Sequence, residues 1–268
     1  MMQRNRFILA VMALCIAVAV GTLTASSNQG TQMSIGERFQ YETGYGDDGF
    51  RSDDISWGKD VPLYKEYPKA RRVKLPTPTF SGKTVEQAIH ERRSHRQFTK
   101  QALTLKELAR LLVSADGLTD KDEELRAAPS GGALYPIELY VTAHDIEGID
   151  SGLYHFQVKD TSLELVKAGD FSDSVHVASN EQETVGASPC TIIMTARFDR
   201  STKKYADRGY RYTYMESGAI CQNIYLQATS MGMGTVAVGA FNDDALNALL
   251  EIDGRSEAAL LMMPVGRI

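Results

Sequence analysis

The segment that most restricts the fold is a stretch of 27 residues from Arg208 to Gly234, RGYRYTYMESGAICQNIYLQATSMGMG. Its apolar side chains recur close to helical spacing and lie on more than one face, at Tyr214, Ala219, Ile220, Ile224, Ala228 and Met231. It follows CTIIMTARF, from Cys190 to Phe198, an apolar and β-branched run typical of a central strand. We therefore expect a long helix, buried on several sides, beside a central strand.

The remaining elements mix helices and strands without strict alternation. Two helices begin at capping-box spacings, Thr84 with Gln87 and Thr104 with Glu107. Strands are expected at Ile137–Val141, Leu153–Gln157, Ser162–Val166, Gly234–Phe241 and Ala258–Gly266, and a short helix that ends at Glu251 begins after the cap residue Asn242. The pattern predicts an α+β protein with one central sheet, mixed or antiparallel, flanked by helices.

The N-terminal third divides into a leader, an arm and the start of the domain. In residues 1–25, two arginines precede an apolar run from Phe7 to Val20 and then small residues, which predicts a signal peptide, or an N-terminal anchor if it is retained. Residues 26–81 are polar and lack sustained periodicity, so we expect an extended arm. We expect the domain to cover 82–268, and the protein to be exported (periplasmic or extracellular), or membrane-anchored if the leader is retained.

Charge and residue spacing exclude several classes of function. The chain carries 29 basic and 34 acidic residues, and removing the two leader arginines makes the net charge -7, which disfavours nucleic acid as a partner. Outside the leader, Cys190 and Cys221 lack C-x-x-C spacing, so we expect two buried thiols. The histidines show no spacing that would assemble a metal site.

Positive charge is concentrated in RRSHRQF, at the end of the first predicted helix. Arg92, Arg93 and Arg96 offer planar forks that match phosphate oxygens, and Ser94 adds a hydroxyl. In an acidic protein this cluster indicates an anion site, with a solvated charged face as the alternative.

Two glycine-containing junctions and one terminal arginine are further candidates. In APSGGALYPIELYV, the residues from Pro129 to Gly132 have small side chains or none. This indicates either a tight turn or the close approach of a flat ligand. VGAFND brings Gly239 and Ala240 to a strand-to-helix junction that can offer N–H donors. Arg267 is either a mobile terminal charge or a second phosphate ligand.

Seven motifs occur in an order and at spacings that resemble the nitroreductase-like FMN flavoproteins. They are RRSHRQF, APSGGALYPIELYV, GLYHF, KYADRGYRY, the QN at 222–223, VGAFNDD and PVGR. Within that family, PSGGALYP, GLYHF and the KYxxRxYR pattern resemble the SagB-type, or azoline oxidase, branch. The resemblance extends from about Glu37 to Arg267.

The resemblance implies a nitroreductase-like fold with FMN bound noncovalently at the interface of an obligate homodimer. Carried over by position, the phosphate and ribityl chain are held by Arg92, Arg93, Ser94 and Arg96. The isoalloxazine lies along Pro129, Ser130, Gly131 and Gly132. Its reactive edge is approached by Gly239 and Ala240, and Arg267 closes on the phosphate from the partner subunit.

A Lys-Tyr pair helps remove the substrate proton in azoline oxidases, and Lys204 with Tyr205 matches it. Both side chains ordinarily titrate near pH 10, so action as a base near neutrality requires burial or a nearby positive charge, such as Lys203 or Arg208, to lower one pKa. The alternative is a solvated basic turn before the long helix.

The resemblance implies an FMN-dependent oxidoreductase that transfers hydride through flavin N5 to or from a small heterocyclic, nitro or quinone-like substrate. One route oxidises a thiazoline- or oxazoline-like ring of a small molecule or a modified peptide. The other reduces a nitro compound or quinone with NAD(P)H as donor. The alternative from another class is an exported flavin-binding or pseudoenzyme module without turnover.

Overall fold

A central antiparallel sheet organises the part of the chain that the computed structural model describes, residues 33–45 and 61–268. The strands are β1 Arg72–Lys74, β2 Leu103–Thr104, β3 Leu118–Asp120, β4 Leu125–Arg126, β5 Ile137–Ala143, β6 Ile146–Glu147, β7 Gly152–Gln157, β8 Ser162–Ala168, β9 Cys190–Arg197, β10 Met233–Thr235 and β11 Glu257–Arg267. Seven of them pair in the order β1-β8-β7-β5-β9-β11-β10, each with antiparallel neighbours. The predicted central strand, β9, lies between β5 and β11.

The helices in the described ranges are α1 Ile35–Glu42, α2 Val85–Glu91, α3 Leu105–Asp116, α4 Ser172–Ala178, α5 Glu183–Gly186, α6 Phe198–Tyr205, α7 Arg208–Ser230 and α8 Asp243–Leu250. Both predicted capping boxes are present. The side chains of Thr84 and Thr104 each accept a hydrogen bond from the backbone N–H three residues on, and the side chain of that residue accepts one from the backbone N–H of the threonine. Asn242 caps α8 as predicted, accepting from the N–H of Ala245. These local signals therefore start the helices where the sequence predicts.

Helices cover both faces of the sheet. Alternate side chains of β9 point to opposite faces, with Ile192 and Met194 in one apolar cluster and Ile193 in the other. The first cluster includes Leu108 of α3 and Ile224 of α7. The second is closed by the following residues of α4, α5 and α8: Val175, Val185, Leu246 and Leu250. Burial on both faces explains why the central strand reads as an unbroken apolar run.

The long helix forms as predicted, but its burial differs from the prediction. Within the chain most buried residues of α7 form one stripe at steps of three or four, with Tyr225 beside it: Gly209, Thr213, Glu216, Ile220, Ile224 and Ala228. Tyr214 and Met215 are 47% and 66% exposed on the other side. The expectation of burial on several sides is therefore wrong for the chain by itself.

Three other expectations need correction. The segment 26–81 is not uniformly extended, because α1 has a capping box at Ser34 and β1 pairs with β8 in the main sheet. The predicted strand at Gly234–Phe241 is shorter, since ladder pairing stops at Thr235 and only Val238 bridges to β11 afterwards. Cys190 is buried as predicted, whereas Cys221 is only half-buried on α7.

The chain divides into two units, Met1–Asp47 and Asp48–Ile268. Helix α1 belongs to the first, and all the other elements described above belong to the second. The predicted leader, residues 1–25, lies outside the described residues. Among the helices of the described ranges, none has both the length and the apolar character needed to cross a membrane.

Candidate active site

The bare stretch before β5 is a tight turn. Residues Gly131–Ala133 form a single 3₁₀ turn in which Gly132 has φ of 69°, a left-handed conformation that glycine adopts without strain. Ser130 Oγ accepts from the N–H of Tyr135 at 2.8 Å and closes the turn. Pro129 and both glycines are exposed. The turn therefore presents accessible backbone, which a flat ligand can approach.

The predicted catalytic pair lies directly against this turn. Lys204 and Tyr205 belong to the last turn of α6, so they sit on a helix and not in the basic turn considered as the alternative. A Cβ at Gly132 would lie 2.6 Å from Lys204 Nζ and 2.7 Å from the Tyr205 hydroxyl. Gly132 therefore has no side chain for two reasons: its φ is positive, and the pair occupies the space that a side chain would fill.

The protonation of Tyr205 differs from the expectation for a base. Burial, together with Tyr212 and Glu216, raises the pKa of Tyr205. A base near neutrality would need the opposite shift. The direction of the shift therefore favours the protonated form of Tyr205, in which its hydroxyl can donate a hydrogen bond.

A carboxyl group that the sequence pattern does not single out lies under the same turn. Glu216 on α7 is 7% exposed, and its Oε1 accepts from the N–H of Gly131 at 2.9 Å. Burial raises the pKa of Glu216 to about 7, although the Gly131 N–H, Ser130 and Arg126 act in the opposite direction. The available signal was its position four residues before Ile220, on the apolar stripe of the helix, where an acidic residue is out of place.

The arginine cluster contacts the same helix further along. Ser94 Oγ and the Tyr225 hydroxyl are hydrogen-bonded at 2.9 Å, and the Arg92 guanidinium lies 5.1 Å from the centre of the Tyr225 ring. Arg93 instead donates to the backbone oxygens of His90 and Arg92. Arg92 is half-buried and Arg96 exposed, and neither has a carboxylate partner among the described residues. The cluster therefore has the open positive charge that a phosphate site requires.

Tyr225 also connects the cluster to the predicted junction after β10. The N–H of Ala237 donates to the Tyr225 hydroxyl at 2.8 Å. Gly239 and Ala240 follow, both exposed, and the Ala240 carbonyl accepts from Gln182 at 2.8 Å. Helix α7 therefore contacts the turn through Glu216 and the arginine cluster through Tyr225. These two residues are about 14 Å apart along the helix axis, and the junction lies close to the cluster. An elongated ligand with a ring at one end and a phosphate at the other fits this arrangement.

Arg267 is not a mobile terminal charge. It is the last residue of β11. Its guanidinium forms an ion pair with Glu107 at 2.8 Å and donates a hydrogen bond to the Ala102 carbonyl. Its own carbonyl accepts from the N–H of Thr99 at 2.8 Å, so its backbone adjoins the arginine segment. Its predicted contact with a phosphate stays a prediction.

A buried charged network supports the turn and α6 from behind. His155 is 1% exposed and lies between Glu138, at 2.9 Å, and Glu164, at 3.0 Å. Glu138 also pairs with Arg200 of α6 at 2.6 Å, and Arg200 donates to the Tyr135 carbonyl at 2.7 Å. One guanidinium therefore joins α6 to Tyr135, the residue whose N–H closes the turn.

Comparison with known proteins identifies the class. The Nitroreductase family matches residues 89–267. Protein MJ1384 of Methanocaldococcus jannaschii, which bears a nitroreductase name, is 37% identical over 195 residues, covering 73% of this chain and 96% of that protein. The microcin B17-processing protein McbC of Escherichia coli is 28% identical over 174 residues, covering 63% of this chain and 64% of McbC. The chain belongs to the nitroreductase family.

Solved structures agree with this fold. A protein of Anabaena variabilis with a nitroreductase name superposes with a TM-score of 0.71 at 25% identity over 90% of this chain and 49% of that one, so this chain spans about half its length. A protein of Desulfovibrio desulfuricans, solved in complex with FMN, gives a TM-score of 0.50 at 18% identity over 70% and 87% of the two chains. The α+β fold and the family resemblance expected from the motifs are confirmed, and the protein is an FMN-dependent oxidoreductase.

Proposed function

We propose that this oxidoreductase dehydrogenates a thiazoline- or oxazoline-like ring, carried by a small molecule or a modified peptide, as in the SagB-type branch. The observation that carries the proposal is the position of Lys204 Nζ and the Tyr205 hydroxyl directly over Gly132. The similarity to McbC, whose name refers to the processing of a peptide, supports a peptide-borne ring.

The residues around α7 fit FMN. Pro129, Ser130, Gly131 and Gly132 would lie along the isoalloxazine, Gly239 and Ala240 would approach its reactive edge, and Arg92, Arg93, Ser94 and Arg96 would hold the ribityl phosphate, with Arg267 joining from the partner subunit. Arginine forks suit a phosphate because they donate two parallel hydrogen bonds to its oxygens. The open positive charge of Arg92 and Arg96 supports this assignment.

Aromatisation of the substrate ring removes a hydride and a proton. When bound, FMN supplies the hydride acceptor at N5. The proton must pass to a protein group near the turn, and we assign Lys204 Nζ as its acceptor. Tyr205, which keeps its own proton, donates a hydrogen bond that orients the ring.

Removing the two open arginine charges is expected to release FMN. In Arg92→Ala combined with Arg96→Ala, the phosphate loses at least two charge-assisted hydrogen bonds, so the FMN dissociation constant should rise at least about a hundredfold. Fluorescence titration of FMN measures it. Arg255→Ala removes an exposed charge in the turn before β11 and should leave binding unchanged. Equal FMN affinity in the double variant and the wild type would contradict the phosphate assignment.

The direction of the reaction is tested on the FMN-loaded protein under anaerobic conditions. Bleaching of the flavin absorption by a thiazoline-containing peptide or small molecule, with loss of two hydrogens from that compound by mass, supports the dehydrogenase. Bleaching by NADH or NADPH alone, followed by reoxidation with a nitro compound or quinone, supports the reductive route instead. Bound flavin that no reductant bleaches supports the flavin-binding module without turnover.

A homodimer is part of the proposal. The chain leaves apolar side chains exposed on α2 and α7, with Val85 at 65%, Ile89 at 56% and Met215 at 66%. Val85 and Ile89 lie four positions apart on one face of α2, and an exposed apolar face is typical of an association surface. Light scattering of the FMN-loaded protein should give twice the mass of the chain, and a monomeric mass would contradict the dimer.

We further propose that residues 1–25 direct the protein out of the cytoplasm, either as a cleaved leader or as a retained anchor. The charged start followed by an apolar run supports this. N-terminal sequencing of the protein from cytoplasmic, membrane and exported fractions tests it, and an intact chain confined to the cytoplasmic fraction would contradict it.

A further inference from the structure

Glu216 is a buried carboxyl group that the proposed chemistry does not use. Its Oε1 holds the N–H of Gly131 at 2.9 Å. A Cβ at Gly131 would lie 3.7 Å from that oxygen and 3.9 Å from ring carbons of both Tyr205 and Tyr212. The carboxyl group, the two rings and the turn therefore meet at one point.

The charges that face Glu216 come from several elements. Arg126 of β4 acts on it while forming a 2.8 Å ion pair with Asp116 at the end of α3. Asp116 and Glu216 interact with each other, and Glu216 also acts on Tyr205 of α6. The Gly131 N–H donates directly to Glu216 Oε1, and the Ser130 hydroxyl, from the same turn, also forms a hydrogen bond with the Glu216 side chain.

We propose that Glu216 is a positioning residue that fixes the Gly131–Gly132 turn through the Gly131 N–H, so that the turn presents Gly132 to the Lys204–Tyr205 pair on one side and its open backbone to FMN on the other. The inference rests on the proposed function, because it takes this turn as the surface along the flavin. Lys204 Nζ and the Tyr205 hydroxyl both lie within 2.7 Å of the point where a Cβ at Gly132 would be, so a small displacement of the turn would change both contacts together.

Burial of this acid is not explained by stability. Burial raises the pKa of Glu216 to about 7. The side chain is protonated in both the folded and the unfolded protein at low pH, and its contribution to the free energy of unfolding is fully present there. That contribution is lost as pH rises from about 4.5, the ordinary pKa, to about 7, the folded value. A glutamine of the same shape would avoid that loss. A carboxylate at this position is better explained by the stronger, charge-assisted hydrogen bond that it accepts from the turn.

The test compares Glu216→Gln and Glu216→Ala with wild type, and Glu123→Gln, an exposed acid in the β3–β4 connection, is the control. Two quantities are measured between pH 6 and 8.5: the FMN dissociation constant by fluorescence, and amide hydrogen exchange of the peptide covering residues 128–135 without FMN. Glu216→Ala should bind FMN about tenfold more weakly and exchange faster in the turn. Glu216→Gln should keep the turn protected.

The pH course separates positioning from simple packing. The FMN phosphate itself titrates near pH 6, so the affinity of wild type is read relative to Glu216→Gln at each pH. That ratio should favour wild type increasingly as pH rises through 7. A constant ratio, or normal exchange and FMN affinity in Glu216→Ala, would overturn the inference. If Glu216→Ala does not fold, the ratio for Glu216→Gln decides it. If wild type binds no FMN, the proposed function fails, while the exchange data still decide whether Glu216 positions the turn.

Discussion

Lys204→Ala is expected to abolish most of the dehydrogenase activity while leaving FMN bound. General base catalysis typically contributes 10²–10⁴-fold to rate, so flavin reduction by a thiazoline substrate should slow by about that factor. The Lys204 side chain ends at the turn, whereas the arginine cluster contacts α7 about 14 Å further along. The substitution therefore removes the proton acceptor and spares the phosphate site. Stopped-flow absorbance of the flavin measures the rate.

Lys121→Ala is the control, because it removes the same charge from an exposed position in the β3–β4 connection. It should retain most of the activity. Tyr205→Phe should slow the reaction less than Lys204→Ala, since it removes a donor and not the acceptor. Rates of Lys204→Ala within twofold of wild type for every active substrate would show that Lys204 is not the base.

Local chemistry made much of the fold predictable. Thr84, Thr104 and Asn242 start helices because each satisfies a backbone N–H that the helix leaves unpaired, and that interaction depends on residues three positions away. The turn before β5 was predictable because a positive φ and a close approach both select glycine.

Features that depend on distant contacts were not predictable. The environment of Glu216 is set by Gly131, 85 positions away, and Tyr225 joins Ser94 to Ala237 only once α7 packs on the sheet. The direction of the Tyr205 pKa shift was missed for the same reason, since its largest cause is burial in the folded chain. The motif resemblance predicted the site residues, and the folded contacts give the direction of the Tyr205 pKa shift.

His155→Leu is expected to destabilise the protein by about 3–5 kcal/mol, the usual cost of removing one partner of a buried ion pair. His155 is 1% exposed and bonds Glu138 through Nε2 and Glu164 through Nδ1. Although burial opposes it, these two carboxylates raise the pKa of His155. The histidine therefore adds positive charge between two buried acids that Arg200 and Arg72 also pair, and leucine removes that charge together with both hydrogen bonds.

The measurement is the free energy of unfolding by urea, with His90→Leu as the control on the exposed face of α2, where a change within about 0.5 kcal/mol is expected.

Because the folded pKa is raised, the His155 contribution is complete below the ordinary pKa of about 6.5 and is lost as pH rises through the folded value. His155→Gln should therefore lose most stability at mildly acidic pH and approach wild type under alkaline conditions. Since Glu138 also holds Arg200, which bonds the turn at Tyr135, destabilisation here should loosen the very helix that carries Lys204 and Tyr205. A His155→Leu protein as stable as wild type would show that Glu138 and Glu164 are not both charged, and the network would then not support the site through charge.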